Sequence, residues 1–433
     1  MDPRDEKRLE RVFEEIATYD AIVQMLEATP NELSHLHLPL ARNVLQQHRR
    51  TVACVEEGLP LAASYFTNAP EIFTAMDIHW FHLIAQSFGG GMENPHMMED
   101  LEGADRLAVA RDVCTLLRLG LYYLDAGVLP KPTMVVPLLE PCDGVIGLHE
   151  AIRRHKEWRD IPTFTPDPPY HNDPRSIAYY ADELRRMVAF LEEQTGRGLE
   201  PDRLREVVEE TNKQYALWAE YTELRRSAPC PHSHILAMAC FALVQTAGSG
   251  DPAHTRWYRD LVEDAEKRIR ENNPEVPGQR IRMLWYDVQP IWFNDLAPWM
   301  EQEWGVCVVL CMFSYAPYTT IDTSSPETIF QGLAKRNLVD PPMVRQARGV
   351  ADNFLSDIER IVRDYRIDCV VLPGHMGHKD GSASISLMRD KCRDIGVPFL
   401  YIGCDQFDRR YTTIEEIKDR ISSFFRAMDL GGG

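Results

Sequence analysis

The sequence predicts an α/β protein: two doubly wound parallel-sheet domains facing a central cleft, with an N-terminal helical arm and a helical insert. Three observations predict it. Short apolar runs alternate with amphipathic segments of 3.6-residue period in two separate stretches of the chain. Strands that alternate with helices imply parallel sheets. Between those stretches, residues 171–278 are helical in pattern. A chain of 433 residues has room for two or three such units.

The elements follow in order. In the arm, residues 1–50, "DEKRLERVFEEIATYDAIVQML" places Leu9, Val12, Phe13 and Ile16 on one face, followed by Ile22 and Leu26. The first α/β domain is expected over 51–170. Leu59–Phe66 reads as its first strand, and Asn68 as the cap of a helix that starts at Pro70. His79 and His82 lie on an apolar stretch, the usual setting of satisfied core histidines. "ADRLAVARDVCTLLRLGLYYLDAG" reads as one amphipathic helix that carries Cys114. "TMVVPLLEPCDG" reads as a strand ending at Cys142, and "VIGLHEAIRRHKEW" as a helix.

In the insert, Leu184, Met187, Val188 and Leu191 share one helical face. Leu204, Val207, Val208, Thr211, Tyr215 and Trp218 share another. Two more helices are expected, over His234–Thr246 and Pro252–Asn272. The second α/β domain, 279–433, has strands at Ile281–Asp287, Val306–Phe313, Cys369–Gly374 and Pro398–Asp405. Helices are expected over "PIWFNDLAPWMEQEWG", over Pro342–Tyr365, over "SISLMRDKCRDIG" and at the close, where Thr412 or Thr413 is the cap with Glu415 and Glu416 nearby.

Composition excludes some functions. The net charge of −19 argues against a nucleic-acid partner, which needs a basic face. The N-terminus is charged from its second residue, unlike a secretory signal, and no apolar stretch is long enough to span a bilayer. A cytoplasmic location is therefore expected. The ten cysteines include no CxxC pair, so any cysteine ligands must be gathered by the fold.

In parallel sheets the ligand site lies outside the carboxyl ends of the strands. That rule marks Tyr65–Asn68, Cys142–Gly144, Asp287–Pro290, Gly374–Asp380 and Asp405. The loop "GHMGHKDGSAS" is the most unusual of these. Its glycines permit close backbone approach, while Lys379, Ser382 and Ser384 suit a phosphate. His375 and His378, three apart, suit a metal clip or an acid/base pair, and a hydrogen-bonded turn with solvated histidines is the plain alternative. Cys230, His232 and His234 make a Cys-x-His-x-His run that could bind a metal, but such a run is more often a loop leading into a helix, with His and Ser capping it.

Taken in order, these features resemble the 2-hydroxyacyl-CoA dehydratase / benzoyl-CoA reductase family, and within it the longer cluster-domain (B-type) subunits of ATP-dependent benzoyl-CoA reductase. The motifs are Tyr65–Glu71, the cysteine at 114, Cys142-Asp143-Gly144, "RMLWYDVQPIW", the glycine-flanked loop and "DQFDRRYTT". The resemblance implies a 4Fe-4S cluster held by Cys114 and Cys142, with His378 where the family places a third cysteine. Imidazole ligates iron in some iron–sulfur centres. It also implies an acyl-CoA substrate, proton delivery from His375 and Lys379, a homologous second cluster subunit, and a separate ATP-hydrolysing iron–sulfur activator. Ring reduction of benzoyl-CoA is the first reading of the reaction. Dehydration of a 2-hydroxyacyl-CoA is the second, and a non-catalytic partner subunit with a degenerate cluster site the third.

Overall fold

The computed structural model describes residues 2–65, 68–84, 94–140, 142–245, 248–315, 318–375 and 377–428. Phe66, Thr67, Pro141 and Met376 of the motifs above, and Thr246 at the end of an expected helix, lie outside the described residues.

Two long helices come first. Helix α1 (Pro3–Ala28) begins at Asp2, whose carboxylate accepts from the Arg4 amide. Helix α2 (Ser34–Glu57) stops at Gly58, which adopts the left-handed φ of 66° that ends a helix without a Cβ clash. They pack through Leu9, Val12 and Val52, and through Tyr19, Ala41 and Leu45.

The first sheet follows, with strands β1 (Leu61–Ser64), β2 (His79–His82) and β3 (Met134–Val136) in the order β2-β1-β3, all parallel. Its helices are α3 (Pro70–Ala75), α4 (Met97–Arg106), α5 (Thr115–Ala126) and α6 (Asp143–Arg154). Arg11 of α1 holds Asp100 of α4 through both carboxylate oxygens, at 2.6 and 2.7 Å.

Four helices then run in succession: α7 (Pro174–Thr195), α8 (Pro201–Leu224), α9 (His234–Gln245) and α10 (Pro252–Glu271). Leu184, Met187 and Leu191 of α7 and Leu204 and Val208 of α8 bury against Ala62, Ile72, Phe73, Met134 and Val136. α7 and α8 therefore cover one face of the first sheet, while α9 and α10 pack with Leu36, Tyr215 and Trp218 in a separate cluster. The other face packs on α5 and α6 through Leu117, Leu119, Val145 and Leu148.

The second sheet has β4 (Ile281–Trp285), β5 (Val306–Cys311), β6 (Cys369–His375) and β7 (Phe399–Cys404) in the parallel order β5-β4-β6-β7. The helices that accompany or follow these strands are α11 (Leu296–Trp304), α12 (Pro326–Val339), α13 (Val344–Ala347), α14 (Val350–Tyr365), α15 (Lys379–Asp394) and α16 (Ile414–Ala427); of these, α12 returns to the first sheet's core, where Ile329, Leu333 and Leu338 pack with α7. Side chains alternate across this sheet: Met283, Trp285, Cys369 and Val371 face one core, while Leu284, Val370 and Leu372 face the other. The architecture is thus α/β with two parallel sheets. No helix among the described residues is long and apolar enough to cross a membrane.

Several elements differ from the sequence pattern. The helix expected to carry Cys114 is broken. α4 ends at Arg106, Ala108 takes a positive φ of 56°, and Cys114 sits at the N-cap of α5. Folding α4 back onto α5 sets Gly103 against the Tyr122 ring, where a Cβ would stand 2.1 Å from Cε2. The strand expected to reach Cys142 stops at Val136, because Pro137 has no amide to donate. β2 was not announced by the pattern, although His79 is a satisfied core histidine, 2.8 Å from Thr51 Oγ1. Residues 288–295 precede α11 as turns, since Ile291 N and Trp292 Nε1 donate to the backbone of Gln406 and Asp405. α12 was not foreseen, and the helix expected over Pro342–Tyr365 is interrupted at Gly349.

Candidate metal centre

Three helix N-termini carry the residues singled out above. Cys114 is the N-cap of α5, Cys142 of α6 and His378 of α15. Each N-terminus offers unsatisfied amides and the positive end of a helix dipole, so all three favour thiolate or another anion nearby.

The ends of the second sheet meet them. β6 finishes at His375, whose Nε2 lies 3.3 Å from Cys114 Sγ. Its Nδ1 lies 3.1 Å from Asp405 Oδ2, just beyond β7. Asp405 Oδ2 also accepts from Thr115 Oγ1 at 2.8 Å, and Oδ1 accepts from the Phe407 and Asp408 amides at 2.9 Å each. Burial pushes the Asp405 carboxyl up, but His375 and these amides outweigh it and hold it below its usual range. His378 Nδ1 lies 3.3 Å from Asp287 Oδ1, beyond the end of β4. The two imidazole rings stand edge to face, 4.6 Å apart.

The ligand atoms of Cys114, His375 and His378 all lie within 4.8 Å of one another, and this is the one such group of three or more among the described residues. Cys142 is exposed and falls outside that group. It stays within electrostatic reach, however. Burial raises the Cys114 thiol to about 12, the neighbouring Cys142 adds to the rise, and the Leu116 and Leu117 amides oppose it. Tyr65, after β1, is buried beside both cysteines, and its Oη has no hydrogen-bond partner among the described residues.

Lys379 does not converge with the group. It is exposed and binds Asp112 Oδ2 at 2.8 Å. The Cys-x-His-x-His run does not gather either: His232 binds Asp264 at 2.8 Å and His234 binds Gln289 at 2.9 Å. The carboxylates behind the two histidines are what the residue pattern did not pair. The strand-end rule marked Asp287 and Asp405, but the partner of each depends on the order of strands in the sheet.

The donor set suits a borderline metal, since thiolate and imidazole both bind zinc and iron. Its spacing does not suit an iron–sulfur cluster. Two metal–ligand bonds of about 2.0–2.3 Å span at most about 4.6 Å, the scale of the separations here. Ligands on different irons of a cluster stand farther apart, because an iron–iron edge is added to those two bonds.

Comparison with known proteins identifies the family to which the chain belongs. A model of the family described as 2-hydroxyglutaryl-CoA dehydratase, D-component, matches residues 66–428. The alpha subunit of (R)-2-hydroxyglutaryl-CoA dehydratase from Acidaminococcus fermentans is 22% identical over 310 residues, which cover 70% of this chain and 61% of that protein. The alpha subunit of lactoyl-CoA dehydratase from Anaerotignum propionicum is 22% identical over 240 residues, covering 50% of this chain and 56% of that protein. The chain thus spans about three fifths of the length of these relatives.

Proposed function

The chain belongs to the 2-hydroxyglutaryl-CoA dehydratase D-component family, and from that premise we propose that it is one subunit of a cytoplasmic, hetero-oligomeric enzyme acting on an acyl-CoA thioester. The observation that carries this reading is the family match across nearly the whole chain, 66–428. Dehydration of a 2-hydroxyacyl-CoA takes precedence over ring reduction of benzoyl-CoA, because both named relatives are dehydratase subunits. Ring reduction keeps the support of the loop and "DQFDRRYTT" resemblance.

The partners in this proposal are a homologous subunit and a separate ATP-hydrolysing iron–sulfur activator. The family's 4Fe-4S cluster supplies single electrons at low potential. Cys114, Cys142 and His378 are the positions that correspond to its ligands here, but Cys114 and His378 lie too close together for separate corners. This subunit therefore serves beside the partner that stores the electron. Lys379, paired with Asp112 at the exposed rim, is placed to meet an anionic substrate or to supply a proton.

The test is turnover by the anaerobically isolated assembly, with activator and ATP, on a 2-hydroxyacyl-CoA and on benzoyl-CoA. Water loss from the hydroxyacyl thioester is expected. Turnover of benzoyl-CoA alone would transfer the reading to the reductase, and turnover of neither would end it.

A further inference from the structure

We infer that Cys114, His375 and His378 close on one divalent ion of the zinc class, so that His375 is a metal ligand and not a proton donor. Three observations carry this. First, the ligand atoms lie within 4.8 Å of one another, and Cys114 Sγ and His375 Nε2 are already 3.3 Å apart. A tetrahedral ion with bonds of about 2.3 Å to sulfur and about 2.1 Å to nitrogen separates those atoms by about 3.6 Å. Only a small side-chain adjustment divides the present arrangement from a loaded one.

Second, both histidines are backed by carboxylates. Asp405 Oδ2 stands 3.1 Å from His375 Nδ1, close by but off hydrogen-bond geometry, and Asp287 Oδ1 stands 3.3 Å from His378 Nδ1. A metal-bound imidazole characteristically leans its other nitrogen on a carboxylate, which fixes the ring and raises its basicity. For His375 this leaves Nε2 as the ligating atom, the one that faces Cys114. Asp405 is itself held by Thr115 and two amides, so the support is rigid.

Third, the group joins the two sheets. Cys114 precedes α5, which packs on the first sheet, while His375 ends β6 of the second. An ion there ties the halves where the strand ends meet. Three protein ligands leave a fourth position open, as in catalytic zinc sites. The exposed Cys142 is not needed to hold the ion.

The inference concerns the chain's metal and is independent of which thioester is turned over. The test is metal and acid-labile sulfide analysis of the full-length chain, purified anaerobically, followed by titration of metal-free protein with Zn²⁺ and Co²⁺. One ion per chain is expected, without sulfide. The Co²⁺ form should show the intense visible bands of a tetrahedral site and a thiolate charge-transfer band. Cys114→Ser should lose that band, and His378→Ala the tetrahedral bands. Cys142→Ser should keep one ion per chain, and Asp405→Asn should weaken affinity 10- to 100-fold. If Cys114→Ser does not fold, His378→Ala and the wild-type Co²⁺ spectrum still decide. Four irons with four sulfides per chain would overturn the inference. So would failure to bind either ion, or loss of the ion in Cys142→Ser.

Discussion

Gly377 lies against the backbone of Cys114, so closely that a Cβ at 377 would stand 2.3 Å from Cys114 Cα and 2.7 Å from its amide nitrogen. The loop after β6 is pressed onto the N-cap of α5, and only a residue without a side chain allows it. The approach brings the histidines on either side of Gly377 to the thiol. Gly377→Ala must therefore push the two segments apart. A loss of about 1–3 kcal/mol is expected, as for other overpacked sites, read as a lower urea midpoint. The tetrahedral Co²⁺ bands should weaken in the same variant. An unchanged midpoint together with an unchanged spectrum would mean that the contact is not tight.

Glu71 and Arg336 form a buried ion pair at 3.2 Å between α3 and α12, with side chains 3% and 2% exposed. Arg336 also donates from Nη2 to Asn212 and from Nε and Nη2 to the Thr319 carbonyl. Removing one partner strands the other charge in the core. Arg336→Met should cost about 3–5 kcal/mol, while Glu71→Leu combined with Arg336→Met should recover a large part of that loss. Denaturant unfolding of the two variants measures it. Equal losses in the single and double variants would show that the stranded charge is not the cause.

The sequence pattern made the sheet ends legible and the pairings between them illegible. β6 and β7 were readable because "CVVLPG" and "PFLYIGCD" are compact apolar runs bounded by glycine, proline or aspartate. β2 was not, because "HWFH" carries two histidines, and its burial comes from α2 packed across it at Thr51. Cys114 was placed inside a helix because its flanks keep an unbroken apolar period. What breaks the helix is tertiary: Gly103 must seat the Tyr122 ring as α4 folds back on α5. His375 and His378 stood out through their glycine-flanked spacing. Their carboxylates are 30 and 91 positions away in the chain and are brought near by the order β5-β4-β6-β7.

Glu301 of α11 accepts from Ser233 Oγ at 2.9 Å, and the Ser233 amide donates to Glu275 at 2.9 Å. Burial first, and then the nearby Glu275, raise the Glu301 carboxyl to about 7, against opposing effects of Ser233 and Arg225. The folded protein thus keeps a proton that the unfolded chain releases near 4.5. Where the native state binds more protons, stability falls as pH rises. This contribution is full below about 4.5 and is lost by about 7. Glu301→Gln removes the titration, so its urea midpoint should change less between pH 5 and pH 8 than that of the wild type. The same change in both proteins would exclude Glu301 as the source.

His378→Cys tests from the opposite direction why this site takes one ion. The resemblance puts a cysteine at 378, and an imidazole there fills space that a thiol leaves open. Its ring lies 4.6 Å from that of His375, which crowds the volume in front of Cys114. A thiol is shorter and carries no ring, and with Cys114 and Cys142 it would complete a three-thiol set at three helix N-termini. Anaerobic reconstitution with ferrous iron and sulfide should therefore give broad visible absorbance and acid-labile sulfide in His378→Cys. The wild-type chain under the same conditions should give neither. Equal sulfide incorporation by both proteins would show that the histidine does not set the nuclearity of the site.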